Sequence, residues 1–258
     1  MFVIETHNLS RQFGKTAVLT SLNLHVSAGE WYIFLGHNGA GKTTTIKMLL
    51  GLLQPTSGHA TVMGHNIRHE RTAIHRVTGY MPENLRPYEY LTGLEYLEFV
   101  GDVHQLSRVH ARQRAHQLLE LLELETHATR LIRTYSLGTR KKLAFAAALL
   151  HEPRVLFLDE PTADLDPRAA GLVRTLIRAL CDRGMAVFMT THILTHAERF
   201  CDKVGILHQG RLLVQEKPSA LREAHGGAEL EEIFLRLTGH VQEERVARFL
   251  AQQVSSTP

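Results

Sequence analysis

Short apolar runs separated by polar segments recur along the chain and predict strands that alternate with helices. Three of these runs, residues 31–35, 155–158 and 185–190, are short and almost entirely apolar. Runs of this kind are typical of central parallel strands, which are buried on both faces. Residues 168–180 instead place apolar side chains at helical spacing, which predicts an amphipathic helix. The alternation predicts an α/β fold around a mostly parallel sheet.

The first part of the chain adds strands of another kind. Residues 2–4 alternate between apolar and polar side chains, and residues 18–26, 60–63 and 77–81 predict further strands. Residues 11–15 predict a turn that carries one aromatic side chain. We expect the earlier strands to form an antiparallel β subdomain beside the parallel sheet.

The pattern becomes helical in the middle of the chain. Residues 93–100 and 109–124 repeat apolar side chains on one face, and residues 139–151 predict the helix that returns to the core. We therefore predict a small helical subdomain that is inserted into the core. The predicted divisions are an α/β core of residues 1–83 and 139–217, an inserted helical subdomain of residues 84–138, and a helical tail of residues 218–258.

Composition and charge restrict the class of protein. The 258 residues are 44% hydrophobic and 21% charged, which is ordinary for a globular protein. The longest apolar stretch, residues 143–150, is far shorter than the ~20 residues of a membrane helix. The first five residues lack the features of a signal peptide, and the two cysteines form no metal or redox motif. We expect a soluble, cytosolic protein, and a net charge of +3 is too small to predict a nucleic-acid-binding face.

The 17 histidines raise the question of a metal site. His65 and His69 are four residues apart, as are His192 and His196. Neither first histidine is followed by glutamate, so neither pair matches the zinc motif H-E-x-x-H. We interpret them as scattered histidines and predict no zinc site.

Residues 36–43 match the phosphate-binding loop pattern G-x-x-x-x-G-K-[ST]. A predicted strand precedes this loop and a predicted helix follows it, so backbone N–H groups and a helix N-terminus can meet an anion there. Lys42 would reach the β- and γ-phosphates of a nucleotide, and Thr43 would supply a hydroxyl to Mg²⁺. The predicted nucleotide-binding residues of this loop are Gly36, His37, Asn38, Gly39, Ala40, Gly41, Lys42, Thr43 and Thr44.

Two acidic residues follow the apolar run 155–158. Asp159 is placed to hold Mg²⁺ near the phosphates, and Glu160 to orient or deprotonate a water molecule. His192 follows the run 185–190 and is a candidate contact of the γ-phosphate. The segment 135–142 precedes a predicted helix and carries basic side chains, so it is a candidate anion site.

The order of these segments resembles the ATP-binding subunits of ABC transporters over nearly the whole chain. The resemblance implies a P-loop NTPase fold and an ATPase that uses ATP and Mg²⁺. It implies that Phe13 stacks on adenine, that Glu160 is the catalytic base and that His192 is the switch histidine. Ser136 and Gly138 would bind the γ-phosphate of ATP held by a second subunit, in a head-to-tail homodimer or heterodimer. The residues implied in Mg²⁺ binding are Thr43, Glu83 and Asp159.

The sequence differs from the commonest pattern of that family at several of these positions. Leu137 stands where glycine is usual, and Thr139 and Glu83 stand where glutamine is usual. Ala163-Asp164 replaces the usual Ser-Gly, in the loop that communicates between the two sites of the dimer and also contains Asp166.

Residues 80–83, the Tyr-Ser-x-Gly segment and residues 230–239 resemble the subunits that serve separate ABC-2-type export permeases. The resemblance then implies peripheral attachment to the cytoplasmic face of the membrane, with docking through the helical insertion and residues 83–90. An alternative interpretation of residues 230–239 is a packed amphipathic helix. Alternative functions are an ABC ATPase that acts on nucleic acid or ribosomes, and a small-molecule kinase, which explains fewer of the motifs.

Overall fold

The computed structural model describes residues 2–84 and 88–239. Two parts of the sequence-based predictions lie outside these residues: positions 85–87 of the predicted docking segment, and positions 240–258 of the predicted tail.

The larger sheet is the centre of the fold and is mostly parallel, as predicted. In the described residues its strand order is β11-β10-β4-β9-β8-β7, and only the β10–β11 pair is antiparallel. Its strands are β4 (Trp31–Leu35), β7 (Thr78–Met81), β8 (Val155–Asp159), β9 (Ala186–Thr191), β10 (Lys203–His208) and β11 (Arg211–Glu216).

A second, antiparallel sheet covers one side of the molecule and confirms the predicted β subdomain. Strand β1 is its centre and pairs with β2, β3 and β5, and β6 pairs with β5 at the edge of the sheet. Its strands are β1 (Phe2–Phe13), β2 (Thr16–Leu22), β3 (His25–Ser27), β5 (Ser57–Val62) and β6 (His65–Asn66).

Helices pack on the sheets and form the insertion. In chain order they are α1 (Lys42–Leu49), α2 (Arg71–Val77), α3 (Gly93–Val103), α4 (Arg108–Leu121), α5 (Leu137–Leu149), α6 (Pro167–Asp182), α7 (Leu194–Phe200), α8 (Pro218–Ala224) and α9 (Leu230–Thr238). None of the described helices is long and apolar enough to cross a bilayer.

The central strands are buried on both faces because alternate side chains enter two different cores. Trp31, Ile33 and Leu35 of β4 pack with the α5 and α6 side of the molecule. Tyr32 and Phe34 pack with α1 and the antiparallel sheet. This explains why β4, β8 and β9 appear in the sequence as continuous apolar runs.

Helices α3 and α4 form the insertion and begin at side-chain caps. The Thr92 side chain accepts a hydrogen bond from the Glu95 N–H, and Glu95 bonds back to Thr92, which is a complete capping box. The Ser107 side chain accepts from the His110 N–H at the start of α4. Ala111, Ala115 and other apolar residues of α4 are buried, as the sequence periodicity predicts.

Several predicted boundaries were wrong. Strand β1 continues to Phe13, so the turn predicted at 11–15 is reduced to residues 14 and 15. The single strand predicted over 18–26 is two strands, β2 and β3. Helices α2 and α7 were not predicted, whereas α8 lies within the predicted helical tail, and α5 begins at Leu137 rather than at 139.

Candidate functional site

Most of the residues singled out in the sequence meet at one edge of the parallel sheet. Leu35 at the end of β4 pairs with Thr191 of β9, and Asp159 at the end of β8 pairs with Thr190. The segments that leave these strands therefore lie side by side. They surround a cleft of about 380 Å³ that is lined by Val18, His37, Asn38, Gly39, Gly41, Lys42, Thr43, Thr44, Glu83, Asp159 and Glu160.

The loop between β4 and α1 has the backbone that its glycines predict. Gly39 and Gly41 have φ values of +81° and +113°, a region that other residues rarely adopt. A Cβ atom on Gly36 would lie 2.6 Å from the Leu207 carbonyl oxygen, so that position has no room for a side chain. Helix α1 then begins at Lys42, and its N-terminus faces the cleft with the backbone polarity that favours an anion.

Thr43, Asp159 and Thr190 form a chain of oxygen atoms beneath this loop. The Thr43 hydroxyl donates to Asp159 Oδ2 at 2.6 Å, and the Thr190 hydroxyl donates to Asp159 Oδ1. Asp159 is only 1% exposed, so these bonds fix its carboxylate. Hydroxyl and carboxylate oxygens are the ligands that Mg²⁺ prefers, and Thr43 and Asp159 therefore fit a Mg²⁺ ion. Glu83 is exposed and lines the same cleft.

Glu160 is held between a cation and an imidazole. Its Oε1 atom lies 3.5 Å from Lys42 Nζ and 3.0 Å from His192 Nδ1. The residue is 5% exposed and has a φ of +50°, a conformation that is uncommon for a residue with a side chain. Its N–H donates to the carbonyl and the hydroxyl of Thr190. These backbone bonds hold the left-handed turn that directs the carboxylate into the cleft.

Lys42 also contacts the loop that it follows. Its ammonium group donates to the Gly36 carbonyl at 2.7 Å and to the His37 carbonyl at 3.4 Å. The side chain is 6% exposed, and burial of an ammonium group requires such partners. The lysine thus stands between the loop backbone and Glu160.

His192 follows β9, and a second histidine, the half-buried His196, lies nearby. Because the Glu160 carboxylate is an acceptor, the bond at His192 Nδ1 assigns the hydrogen to that nitrogen. Burial lowers the pKa of nearby His196, and the charge of Arg174 lowers it further. His196 is thus neutral at neutral pH, next to a site that already contains several charges.

Six predicted site residues are not among those that line this cleft. Gly36 and Ala40 belong to the same loop, and His192 contacts Glu160. Phe13, Ser136 and Gly138 lie elsewhere. Phe13 lies at the tip of the β1–β2 hairpin, 45% exposed, with the Arg11 guanidinium 4.3 Å from its ring centroid. Ser136 and Gly138 lie at the start of α5. The Ser136 side chain accepts a hydrogen bond from the Thr139 N–H at 3.2 Å and therefore caps this helix.

Leu137 is the first residue of α5 and is 57% exposed. It does not have a positive φ, so leucine at this position needs no glycine-like backbone. A Cβ atom on Gly138 would meet Leu165 Cδ2 and the Asp164 carbonyl only at ordinary contact distances, 3.6 and 3.7 Å. Within one subunit, neither position is restricted to glycine.

The sequence did not predict three neighbours of the site. Lys141 of α5 bonds to the loop after Glu160 through Asp164 Oδ2 at 3.1 Å. Phe234 of α9 contacts the ring of His37 edge-on at 5.0 Å between centroids. Burial raises the pKa of Tyr80, and the carboxylates of Asp159 and Glu83 raise it further. Each of these interactions joins residues that are distant in sequence, so no local sequence pattern could predict it.

The surroundings of the histidines and cysteines in the described residues indicate neither a metal site nor a reactive thiolate. His65 Nδ1 lies 3.0 Å from Glu70 Oε1. Within the described residues, no group of three or more histidine, cysteine, aspartate or glutamate side chains is placed to hold a metal ion. Burial raises the pKa of both thiols, Cys181 and Cys201, to about 12, so neither is a thiolate at neutral pH.

A phosphate loop on a parallel sheet, followed by a buried aspartate–glutamate pair at the end of a neighbouring strand, defines a P-loop ATPase. Comparisons with known proteins specify the family. The sequence profile described as "ABC transporter" matches residues 19–163.

Relatives align over almost all of the chain. It is 36% identical to the daunorubicin/doxorubicin resistance ATP-binding protein of Streptomyces peucetius, over 98% of this chain and 76% of that protein. It is 37% identical to the Nod factor export ATP-binding protein I of Burkholderia lata, over 90% of this chain and 76% of that protein.

A solved structure shows the same fold. The dimeric, post-hydrolysis state of an ATP-binding cassette with bound ADP and Pi superimposes with a TM-score of 0.77 at 26% identity. The match covers 83% of this chain and 98% of the other. The chain belongs to the ABC transporter family and is one of its ATP-binding, ATP-hydrolysing subunits.

Proposed function

We propose that this subunit powers export through separate transmembrane permease subunits, as a head-to-tail dimer with ATP at the interface. The observation that carries the hydrolytic part is the buried carboxylate of Glu160, held between Lys42 and His192 beside the phosphate loop. The export part is supported by relatives whose names refer to drug resistance and to export.

In the proposed ATP site, the loop of residues 36–43 and Lys42 bind the β- and γ-phosphates. Thr43 and Asp159 would hold Mg²⁺, with Glu83 as a further oxygen donor at the edge of the cleft, and the bound ion would supply positive charge for the phosphate oxygens. Phe13 stacks on the adenine.

In the proposed hydrolytic step, Glu160 accepts a proton from the attacking water. His192 donates a hydrogen from Nδ1 to Glu160, so the carboxylate keeps a fixed orientation. When its other ring nitrogen also carries a proton, His192 would donate a hydrogen bond to the γ-phosphate.

The second half of each site comes from the partner subunit. Ser136 and Gly138 lie at an exposed helix N-terminus, where backbone N–H groups favour an anion. Because a Cβ on Gly138 has room within one subunit, we attribute this glycine to close approach by the second subunit. The dimeric cassette with ADP and Pi supports this arrangement. The chain is compatible with a homodimer or a heterodimer.

We place the subunit on the cytoplasmic face of the membrane and its permease contact on the helical insertion. Tyr88, Tyr90 and Phe99 are exposed there, and the Tyr88 and Phe99 rings contact each other at 5.1 Å. Clustered exposed aromatic side chains are typical of protein-binding surfaces.

The Glu160→Gln variant tests the proposal. We expect ATP binding to be retained, because Mg²⁺ is held by Asp159 and Thr43. Hydrolysis should fall by ~10²–10⁴-fold, the usual size of a general-base effect, and the ATP-bound dimer should accumulate. Phosphate release, binding of a fluorescent ATP analogue and light scattering measure these three outcomes.

Near-normal turnover of the Glu160→Gln variant would remove Glu160 from the catalytic role. The transport assignment has its own test, which is co-purification of the chain with a permease from detergent-extracted membranes. Co-sedimentation with ribosomes or nucleic acid instead would favour the alternative class of ABC ATPase.

A further inference from the structure

The loop of residues 163–166 connects the catalytic carboxylate to helix α6. The Ala163 N–H donates to the Glu160 carbonyl, and the Leu165 N–H donates to the Thr162 carbonyl. Asp166 ends the loop and caps α6 through the N–H groups of residues 168 and 169. Any change in the path of this loop therefore acts on both Glu160 and α6.

The backbone of this loop is unusual at Asp164. Its φ is +62°, a left-handed conformation that glycine adopts freely and that aspartate tolerates better than most other residues. The family pattern that this chain resembles has glycine at this position. A loop with aspartate there needs another interaction to hold the same backbone.

Lys141 of α5 supplies that interaction. Its ammonium group donates to the Ala163 carbonyl and to Asp164 Oδ2, the latter at 3.1 Å. The Lys141 side chain is 5% exposed, whereas that of Asp164 is 57% exposed. A buried ammonium group that loses its partners is costly, so the lysine holds two adjacent loop residues rather than forming an incidental surface ion pair.

The same contact connects the two parts of one subunit that belong to different ATP sites in the proposed dimer. Lys141 lies one helical turn after the Ser136–Gly138 segment, and the loop packs on this first turn, where Gly138 is close to Leu165 and to the Asp164 carbonyl. The segment proposed to meet the partner's ATP is thereby attached to the loop that follows the subunit's own Glu160.

We propose that Lys141 is a positioning residue for hydrolysis: by anchoring Ala163 and Asp164, it fixes the left-handed loop that sets Glu160 relative to the Ser136–Gly138 segment. This role rests on the proposed function. The lysine does not touch the reacting atoms, and its effect falls on the turnover number rather than on ATP affinity.

The test combines loss of the Lys141 anchor with variants at position 164 that change the backbone freedom of the loop. Lys141→Met should lower kcat by about 10- to 100-fold, the size of a small misplacement of catalytic groups. The dissociation constant for a fluorescent ATP analogue should change by less than about twofold, since the phosphate loop is untouched. Asp164→Gly in the Lys141→Met background should restore most of the turnover, because glycine adopts this φ without an anchor.

Asp164→Ala is the discriminating comparison. It removes the same carboxylate as Asp164→Gly but disfavours the left-handed backbone, so it should lower kcat alone and should not rescue Lys141→Met. If the Lys141→Met protein does not fold, comparison of the Asp164→Gly and Asp164→Ala single variants still tests the inference. Lys203→Met is a control, because Lys203 is also a mostly buried lysine and forms an ion pair with Glu30, likewise at 3.1 Å, at the opposite end of the strands. It should leave kcat unchanged.

Two results would overturn the inference while leaving the proposed function intact. One is a wild-type kcat for Lys141→Met in a protein whose hydrolysis still depends on Glu160. The other is equal turnover of the Asp164→Gly and Asp164→Ala proteins, which would reduce the ion pair to a structural contact. Loss of Glu160 dependence would instead contradict the proposed function itself.

Discussion

The ring of Phe13 lies outside both hydrophobic cores. It is 45% exposed at the end of β1, with the Arg11 guanidinium over its face. An aromatic ring that is exposed at a hairpin tip adds little to the stability of the core. This location leaves the ring accessible to a ligand, as the proposed stacking on adenine requires.

We predict that Phe13→Ala weakens ATP binding by ~1–3 kcal/mol, the range of base–aromatic stacking. Phe13→Tyr should be tolerated, since it keeps the ring face. Isothermal titration with a non-hydrolysable ATP analogue measures the change.

Phe2→Ala is the control for that measurement. Phe2 lies at the other end of the same strand and is similarly exposed, at 43%. It should leave the affinity unchanged. Equal affinities of the wild-type and Phe13→Ala proteins would exclude stacking by Phe13.

At the scale of the helix, Ser136 has two separable effects. It caps α5 within the subunit, and we propose that it also bonds to phosphate across the dimer. Ser107 caps α4 in the same way, by accepting from the His110 N–H at 3.3 Å, but it lies in the helical insertion. The two serines therefore form a matched pair.

Ser136→Ala and Ser107→Ala should each lower the free energy of unfolding by about 1 kcal/mol, the usual effect of a lost N-cap. Only Ser136→Ala should also reduce ATP-driven dimerisation, which is measured by light scattering in the Glu160→Gln background. An equal dimer fraction in the two variants would contradict the proposed trans site.

Elements with strong periodicity or continuous apolar runs could be predicted from the sequence. Strands β4, β8 and β9 and helix α6 belong to this group, and so does the phosphate loop, because its backbone geometry needs glycine at fixed spacing. The clustering of the predicted residues followed from parallel strands, whose carboxyl ends share one edge.

Other features could not be predicted because they depend on tertiary contacts. Helices α2 and α7 each have seven residues and bury one side chain, Ile74 and Ala197 respectively. One buried residue produces no periodicity. The contact of Lys141 with Asp164 crosses 23 positions of the chain, and it appears only when α5 and the loop after β8 are brought together.

At the scale of the whole molecule, the α/β core and the helical insertion meet along a groove. The groove is lined by His75, His104 and His151, with Arg76 beside them. The rings of His104 and His151 are stacked at 3.6 Å between centroids. The Nε2 atom of His151 lies 2.9 Å from the Thr78 carbonyl oxygen. Because a carbonyl oxygen is an acceptor, this contact assigns a hydrogen to Nε2.

Burial and, to a smaller extent, the neighbouring charge of His104 together lower the pKa of His151 to about 4, although the hydrogen bond with Thr78 acts in the opposite direction. Burial also lowers the pKa of His104, with a contribution from His75. In the unfolded chain, a histidine titrates near its ordinary value of about 6.5. The unfolded state therefore binds more protons between about pH 6.5 and pH 4, and the free energy of unfolding falls as the pH is lowered through this window.

We predict that the melting temperature falls between pH 7 and pH 5, and that His151→Gln reduces this fall. Glutamine keeps an N–H donor for the Thr78 carbonyl but does not titrate. The His151 contribution, discounted for its partial exposure, is of order 1 kcal/mol at pH 5, or about 2–4 °C for a chain of this size. Scanning calorimetry of both proteins over this range measures the difference. Parallel melting curves for wild type and His151→Gln would show that the buried histidine at the junction does not set the acid sensitivity.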